Sequence, residues 1–194
     1  MSSATIIKQK NIEFTLRDEA LRILDKRGTV LETAREVSRL MREAGLSGAV
    51  IGGIAVVLHG HVRTTKDVDV FTSPPLEPLA NLLKANGFTY DRKERTFLKR
   101  GVPLHLVLPA QVGALSGNLI EVEGVTTVPL SDLINMKLRS GSTDLLRAQD
   151  LADVIGLIRH HQLTGSFARQ LDKPLRLTFR KLARLVRQER LRKR

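Results

Sequence analysis

The segment Ile51-Gly-Gly-Ile-Ala-Val-Val-Leu-His-Gly-His-Val-Arg-Thr-Thr-Lys-Asp-Val-Asp-Val70 constrains this chain more than any other. An apolar run over Ala49–Gly52 reads as a strand, Gly53–Leu58 as a short helix, and Asp67–Phe71 as a returning strand. Asp67 and Asp69 stand two positions apart in that second strand. Residues i and i+2 of a strand share a face, so both carboxylates point one way while Val68 and Val70 point the other. Two like charges side by side repel, and a cation between them relieves the repulsion. Oxygen ligands of this kind suit Mg²⁺ or Mn²⁺ rather than zinc. A Gly-Gly turn at a helix start also lets backbone N–H groups approach a phosphate closely. The segment therefore reads as a metal–phosphate site.

The flanking sequence supplies a frame for it. Leu21 and Leu24, then Leu31, Ala34, Val37, Leu40 and Met41, recur at helical spacing and predict helices over Arg17–Arg27 and Val30–Ala44. Glu77–Ala85 reads as a further helix, ended by Asn86-Gly87. Short strands are expected over Thr89–Asp91, Thr96–Lys99 and Pro103–Leu108, and another strand or hairpin over Glu121–Pro129. From Ser131 the pattern is helical: Asp132–Arg139, Asp144–His161 and, after Gly165-Ser166 and Pro174, a basic amphipathic helix over Leu175–Arg192. The expected architecture is α/β (α+β), a small mixed β-sheet flanked by N-terminal helices and a C-terminal helical region.

Composition narrows the chemistry. The chain has 194 residues, enough to bury a sizeable core, and no cysteine, which excludes disulfides, thiolate metal sites and cysteine nucleophiles. No apolar run is long enough to span a bilayer and the N-terminus has no signal-peptide profile, so no membrane partner and a cytoplasmic location are expected. The net charge of +12 is unevenly placed, since Asp172–Arg194 holds ten Lys and Arg against two acids. Such a tail, residues 173–194, suits phosphate recognition and points to RNA or tRNA, with a solvated helix surface as the alternative. Phe179 is its one aromatic residue, so base stacking there is weak.

With these residues in view, the chain resembles the polymerase-β-like nucleotidyltransferase superfamily. The shared elements are Ile51-Gly52-Gly53, a spacer of thirteen residues, and Asp67-Val68-Asp69. The fuller string, with His59-Gly60 and Arg63-x-Thr65-x-Asp67-x-Asp69, resembles the bacterial branch that includes abortive-infection and type IV toxin–antitoxin nucleotidyltransferases. Leu133-Ile-Asn-Met-Lys137-Leu and Arg147-x-x-Asp150-Leu-Ala-Asp153-Val extend the likeness downstream. The resemblance implies N-terminal helices over residues 1–47, a nucleotidyltransferase core over 48–130 and a C-terminal helical region with a basic tail over 131–194. It implies transfer of a nucleoside monophosphate from an NTP to a hydroxyl acceptor on an RNA end, a protein or a small molecule. Asp67 and Asp69 would hold Mg²⁺ or Mn²⁺, Gly52, Gly53 and Lys137 would serve the triphosphate, and Arg63 and Thr65 would orient Asp69 or contact phosphate. A toxin-like member would also have an antitoxin protein as partner.

One position departs from the pattern. Active members usually carry a third carboxylate on a neighbouring apolar strand, and the matching run, Val102-Pro-Leu-His-Leu-Val-Leu108, has His105 there. Imidazole is a poor ligand for Mg²⁺ but tolerable for Mn²⁺, and its ordinary titration range suits a general base. Three readings stay open: His105 acts catalytically in a modified role, Glu121 or Glu123 is recruited instead, or nucleotide and metal bind weakly without transfer. Lys137 is equally readable as a surface lysine, Asp150 and Asp153 as salt-bridge partners for Lys137 or Arg147, and His59 and His61 as loop residues.

Overall fold

Strand alternation divides the apolar residues between two faces of one sheet, and the helices cover both. The computed structural model describes residues 29–193 apart from 114, 116 and 144. The helix expected over Arg17–Arg27 lies outside the described residues. Helix α1 (Thr29–Glu43) turns Leu31, Ala34, Val37, Leu40 and Met41 inward, as the i, i+3, i+4 spacing requires. Strand β1 (Gly48–Ile51) runs directly into α2 (Gly52–Leu58), and β2 (Val68–Thr72) returns antiparallel to β1. After α3 (Glu77–Ala85) come β3 (Thr89–Asp91), β4 (Thr96–Lys99) and β5 (Val102–Val107). A short helix α4 (Pro109–Val112) precedes the hairpin of β6 (Ile120–Val122) and β7 (Val125–Thr127). Its two-residue turn, Glu123-Gly124, has positive φ at both positions, the geometry that matches strand twist in a tight hairpin.

The seven strands lie in the order β3-β4-β5-β2-β1-β7-β6. β5 lies parallel to β2, and β7 parallel to β1, so the sheet is mixed. Val50, Val68, Val70 and Leu104 join α1 and α3 in one apolar layer. Ala49 and Ile51 join α2 and the C-terminal helices in the other, with Phe71 and Val107 packed against it. Asp69 and His105 alternate with Val68, Val70 and Leu104 and so belong to the second face.

The C-terminal helices differ from expectation at one junction. The expected break after Arg139 is absent: α5 runs through Leu130–Thr143, and α6 (Ala148–His161) starts only after a 3-10 turn at Leu145–Arg147. Gly141 is the reason. A Cβ there would come within 2.9 Å of Leu151 Cγ and 3.1 Å of Leu151 N, so this glycine permits close packing of α5 on α6 and does not end the helix. Helix α7 (Arg176–Arg192) buries Phe179 and Ala183 in the second apolar layer, and the Phe179 ring lies 5.5 Å from that of Phe167. Among the described residues no helix is long and apolar enough to cross a membrane.

Candidate functional site

The register of β2 against β5 pairs Asp69 with His105, which places the histidine beside the aspartates. His105 Nδ1 lies 3.4 Å from Asp69 Oδ1 and 3.9 Å from Asp67 Oδ2. One ligand atom from each of Asp67, Asp69 and His105 falls within 4.8 Å of the others, close enough for one cation. All three side chains are partly exposed, between 28% and 41%, so the cluster opens to solvent on one side. Asp67 precedes the first strand residue, Val68, so its position is set by the approach loop as well as by the sheet.

That loop is fixed by hydrogen bonds. The Thr65 hydroxyl donates to Asp67 Oδ1 at 3.1 Å. Arg63 donates to Asp153 Oδ2 at 2.9 Å and, through Nε, to the Thr64 carbonyl. Arg63 and Thr65 thus act on the carboxylate loop itself.

The Gly-Gly turn packs against the same groups. Gly52 has φ +67°, and a Cβ on it would sit 2.0 Å from Asp69 Oδ2. A Cβ on Gly53 would sit 2.5 Å from the Thr65 hydroxyl. Both positions lack space for a side chain because the carboxylate strand and its approach loop lie directly over the turn.

Behind the cluster lies a buried ion-pair network. Lys137 on α5 reaches Asp150 at 2.6 Å and Asp153 at 2.9 Å, both on α6. Asp153 is fully buried and also accepts from Arg63 and Gln149. Burial pushes the Asp150 carboxyl up, but hydrogen bonds from Lys137 and Ser140 outweigh it and leave it below its ordinary value. In the cluster the balance is opposite. Loss of bulk water and the adjacent Asp67 raise Asp69, against the opposing pull of His105 and Lys137. A bound cation would reverse that cost, and two carboxylate oxygens plus one imidazole nitrogen suit Mn²⁺ better than Mg²⁺.

The remaining candidates lie elsewhere. Glu121 pairs with Arg42 at 2.8 Å and Glu123 with Arg35 at 3.4 Å, both on α1, and β6 is separated from β2 by β1 and β7. Neither glutamate completes the cluster. His59 Nε2 lies 2.9 Å from the Val128 carbonyl, and a Cβ on Gly156 would meet the His61 ring at 2.3 Å, so both serve packing at the end of α2. The sequence pointed to Asp150 and Asp153 through their helical spacing, and to Lys137 through the resemblance. The reach of Arg63 to Asp153, across 90 residues, had no local signal.

No protein-family model matches the chain, and no curated protein matches it. Among solved structures, an antigenic nucleotidyltransferase-like protein from Paracoccidioides brasiliensis aligns with TM-score 0.51 and 17% identity, over 81% of this chain and 87% of that one. A putative nucleotidyltransferase from H. pylori aligns with TM-score 0.48 and 17% identity, over 81% and 96%. ANT(2")-Ia, solved with adenylyl-2"-tobramycin, aligns with TM-score 0.49 and 13% identity, over 75% and 93%. At such identities only a fold is shared, and the first alignment carries it: this chain has a nucleotidyltransferase-like fold.

Proposed function

We propose that the protein transfers a nucleoside monophosphate from an NTP to a hydroxyl acceptor and releases pyrophosphate. The observation that carries this reading is the convergence of Asp67, Asp69 and His105 beside a Gly-Gly turn, in a nucleotidyltransferase-like fold. Asp67 and Asp69 would hold the metal, which when bound supplies Lewis-acid stabilisation of charge on the triphosphate. Gly52 and Gly53 leave the backbone bare where the phosphates approach. His105, left off the metal in this step, takes the proton of the acceptor hydroxyl on its free ring nitrogen as the hydroxyl oxygen bonds to the α-phosphorus and the bond to the pyrophosphate oxygen breaks. Lys137, bound to two aspartates, acts on Asp69 as a fixed positive charge, and Arg63 and Thr65 hold the loop that presents Asp67.

The acceptor proposed first is an RNA end, because α7 carries the excess basic charge. The resemblance to toxin-like members proposes an antitoxin as a protein partner; arrest of growth on expression, relieved by a co-expressed neighbour, is its test. The test of transfer is incubation with each labelled NTP, Mg²⁺ or Mn²⁺, and bulk tRNA, a protein mixture or small hydroxyl compounds. Label should pass to one acceptor class and be lost in Asp67→Ala with Asp69→Ala. No transfer under any combination, or full transfer by that double variant, overturns the reading.

His105 in place of a third carboxylate favours a second reading: a catalytically weakened module that binds nucleotide or RNA. It predicts nucleotide binding in the wild type with no transfer under any metal.

A further inference from the structure

A groove of about 730 Å³ lies between the end of α6 and α7, away from the carboxylate cluster. Asp150, in the first turn of α6, and Arg159, in its last, are separated by about 14 Å of helix at 1.5 Å per residue. Ile158, Leu163, Ala183 and Val186 give the groove an apolar lining. Its cations fall into two sets. Arg159 and Lys193 are held by Glu189, and Arg190 donates to the Gln162 side chain. Arg180, Arg184 and Arg187 are exposed and make no ion pair or hydrogen bond among the described residues. Spaced i, i+4 and i+7, they form one stripe along α7.

We propose that this groove is a docking channel for single-stranded RNA, with Arg180, Arg184 and Arg187 contacting successive phosphates. Three unpaired guanidiniums on one wall, with Glu189 already bound by two cations, give a strongly anion-selective surface. A single strand is the expected occupant because its bases are free to meet the apolar lining, whereas those of a duplex are stacked inside. The apolar lining accepts base or sugar faces, and the Thr164 hydroxyl at the groove, bonded to Ser166 Oγ at 2.7 Å, keeps acceptor capacity for a 2′-hydroxyl. Among the described residues no aromatic side chain lines the channel, so binding is dominated by the backbone, tolerant of sequence and steeply dependent on salt. The site stands on the groove alone and does not require transfer at Asp67 and Asp69.

The experiment measures anisotropy of a labelled RNA of about a dozen nucleotides against the full chain, between about 50 and 200 mM salt. Replacing Arg180, Arg184 and Arg187 together with Ala should weaken binding by about tenfold or more and reduce the log–log salt slope by about 2, at 0.7 per phosphate. Replacing Lys173, Lys181 and Arg192 with Ala removes the same charge outside the groove and should cost less than about threefold. Gly165→Trp should obstruct the channel with every charge retained and weaken RNA binding, because a Cβ there has only ordinary contact with Arg180, at 3.7 Å. Circular dichroism confirms that each variant is folded. Asp67→Ala with Asp69→Ala should bind RNA like the wild type, which separates this inference from the proposed reaction. Equal losses from the two triple variants overturn the channel, as does unchanged binding by folded Gly165→Trp or no binding by the wild type. DNA of the same length bound as tightly overturns the assignment to RNA, and an acidic peptide of equal charge that competes as well overturns it in favour of a protein partner.

Discussion

At the scale of single residues, the glycines and carboxylates of the cluster constrain one another. Gly52→Ala forces a side chain into positive φ and onto Asp69, where its Cβ would lie 2.0 Å from Oδ2. It should destabilise the fold by about 1–3 kcal/mol, read as the shift in urea midpoint at constant slope. Asp69 sets a pH dependence with an unusual sign. Its carboxyl is raised, chiefly by loss of water and then by Asp67, so the fold holds that proton more tightly than the unfolded chain. Metal-free stability therefore falls as pH rises from the ordinary value of 3.8 through the raised one, and stays lower above it. Asp69→Asn should flatten that part of a melting-temperature profile and be more stable than wild type at pH ~7 without metal; a less stable variant refutes the argument. His105→Asp would restore a third carboxylate, lowering metal-free stability and shifting metal preference from Mn²⁺ toward Mg²⁺, as titration calorimetry would show. Asp67 and Asp69 were legible in the sequence because strand alternation puts them on one face, whereas His105 came forward only through the resemblance, at the position of the usual third carboxylate. The engagement of Thr65 with Asp67 was not legible, because a two-residue step has no fixed direction in a loop.

At the scale of elements, a buried network fixes α5 and α6 to the loop that presents Asp67. Asp153 accepts from Arg63 and pairs with Lys137, while its own side chain is fully buried. Asp153→Ala leaves two cations facing each other without their shared anion and should cost about 3–5 kcal/mol in urea unfolding. Transfer or metal binding should weaken too, because Arg63 would lose its anchor. Asp150 contributes in the ordinary direction: its carboxyl lies below 3.8, so its stabilisation is present above that value and is lost as pH falls through the lowered one. Acid unfolding of Asp150→Asn should lack that component. Helices α1 and α6 were readable from apolar periodicity, whereas the short α4 was not, nor was the Ser140-Gly141 step. Local propensity treats a glycine there as a break, whereas the contact with Leu151 makes it a crossing point.

At the scale of the whole molecule, two apolar layers enclose a sheet whose order depends on distant pairings. The position of β5 beside β2 could not be read locally, because β5 follows β2 by some thirty residues and pairs parallel to it. The basic tail was legible as charge, but its packing was not. Phe179 and Ala183 tie α7 into the core, so removing residues 174–194 would strip buried surface along with charge. Point variants therefore separate its roles where truncation cannot. The same separation yields a test of the whole reading by linkage. A ligand that binds only the folded state stabilises it by about 2.7 kcal/mol at a hundred times its dissociation constant. For a chain of this size that corresponds to about 5–10 °C in melting temperature, at 2–4 °C per kcal/mol. Mn²⁺ with a non-hydrolysable NTP should give a shift of that order in the wild type and in the Arg180, Arg184 and Arg187 triple alanine variant. Asp67→Ala with Asp69→Ala should show none. A shift that persists in the double aspartate variant would place the nucleotide elsewhere, and a shift lost in the arginine variant would merge the two sites into one.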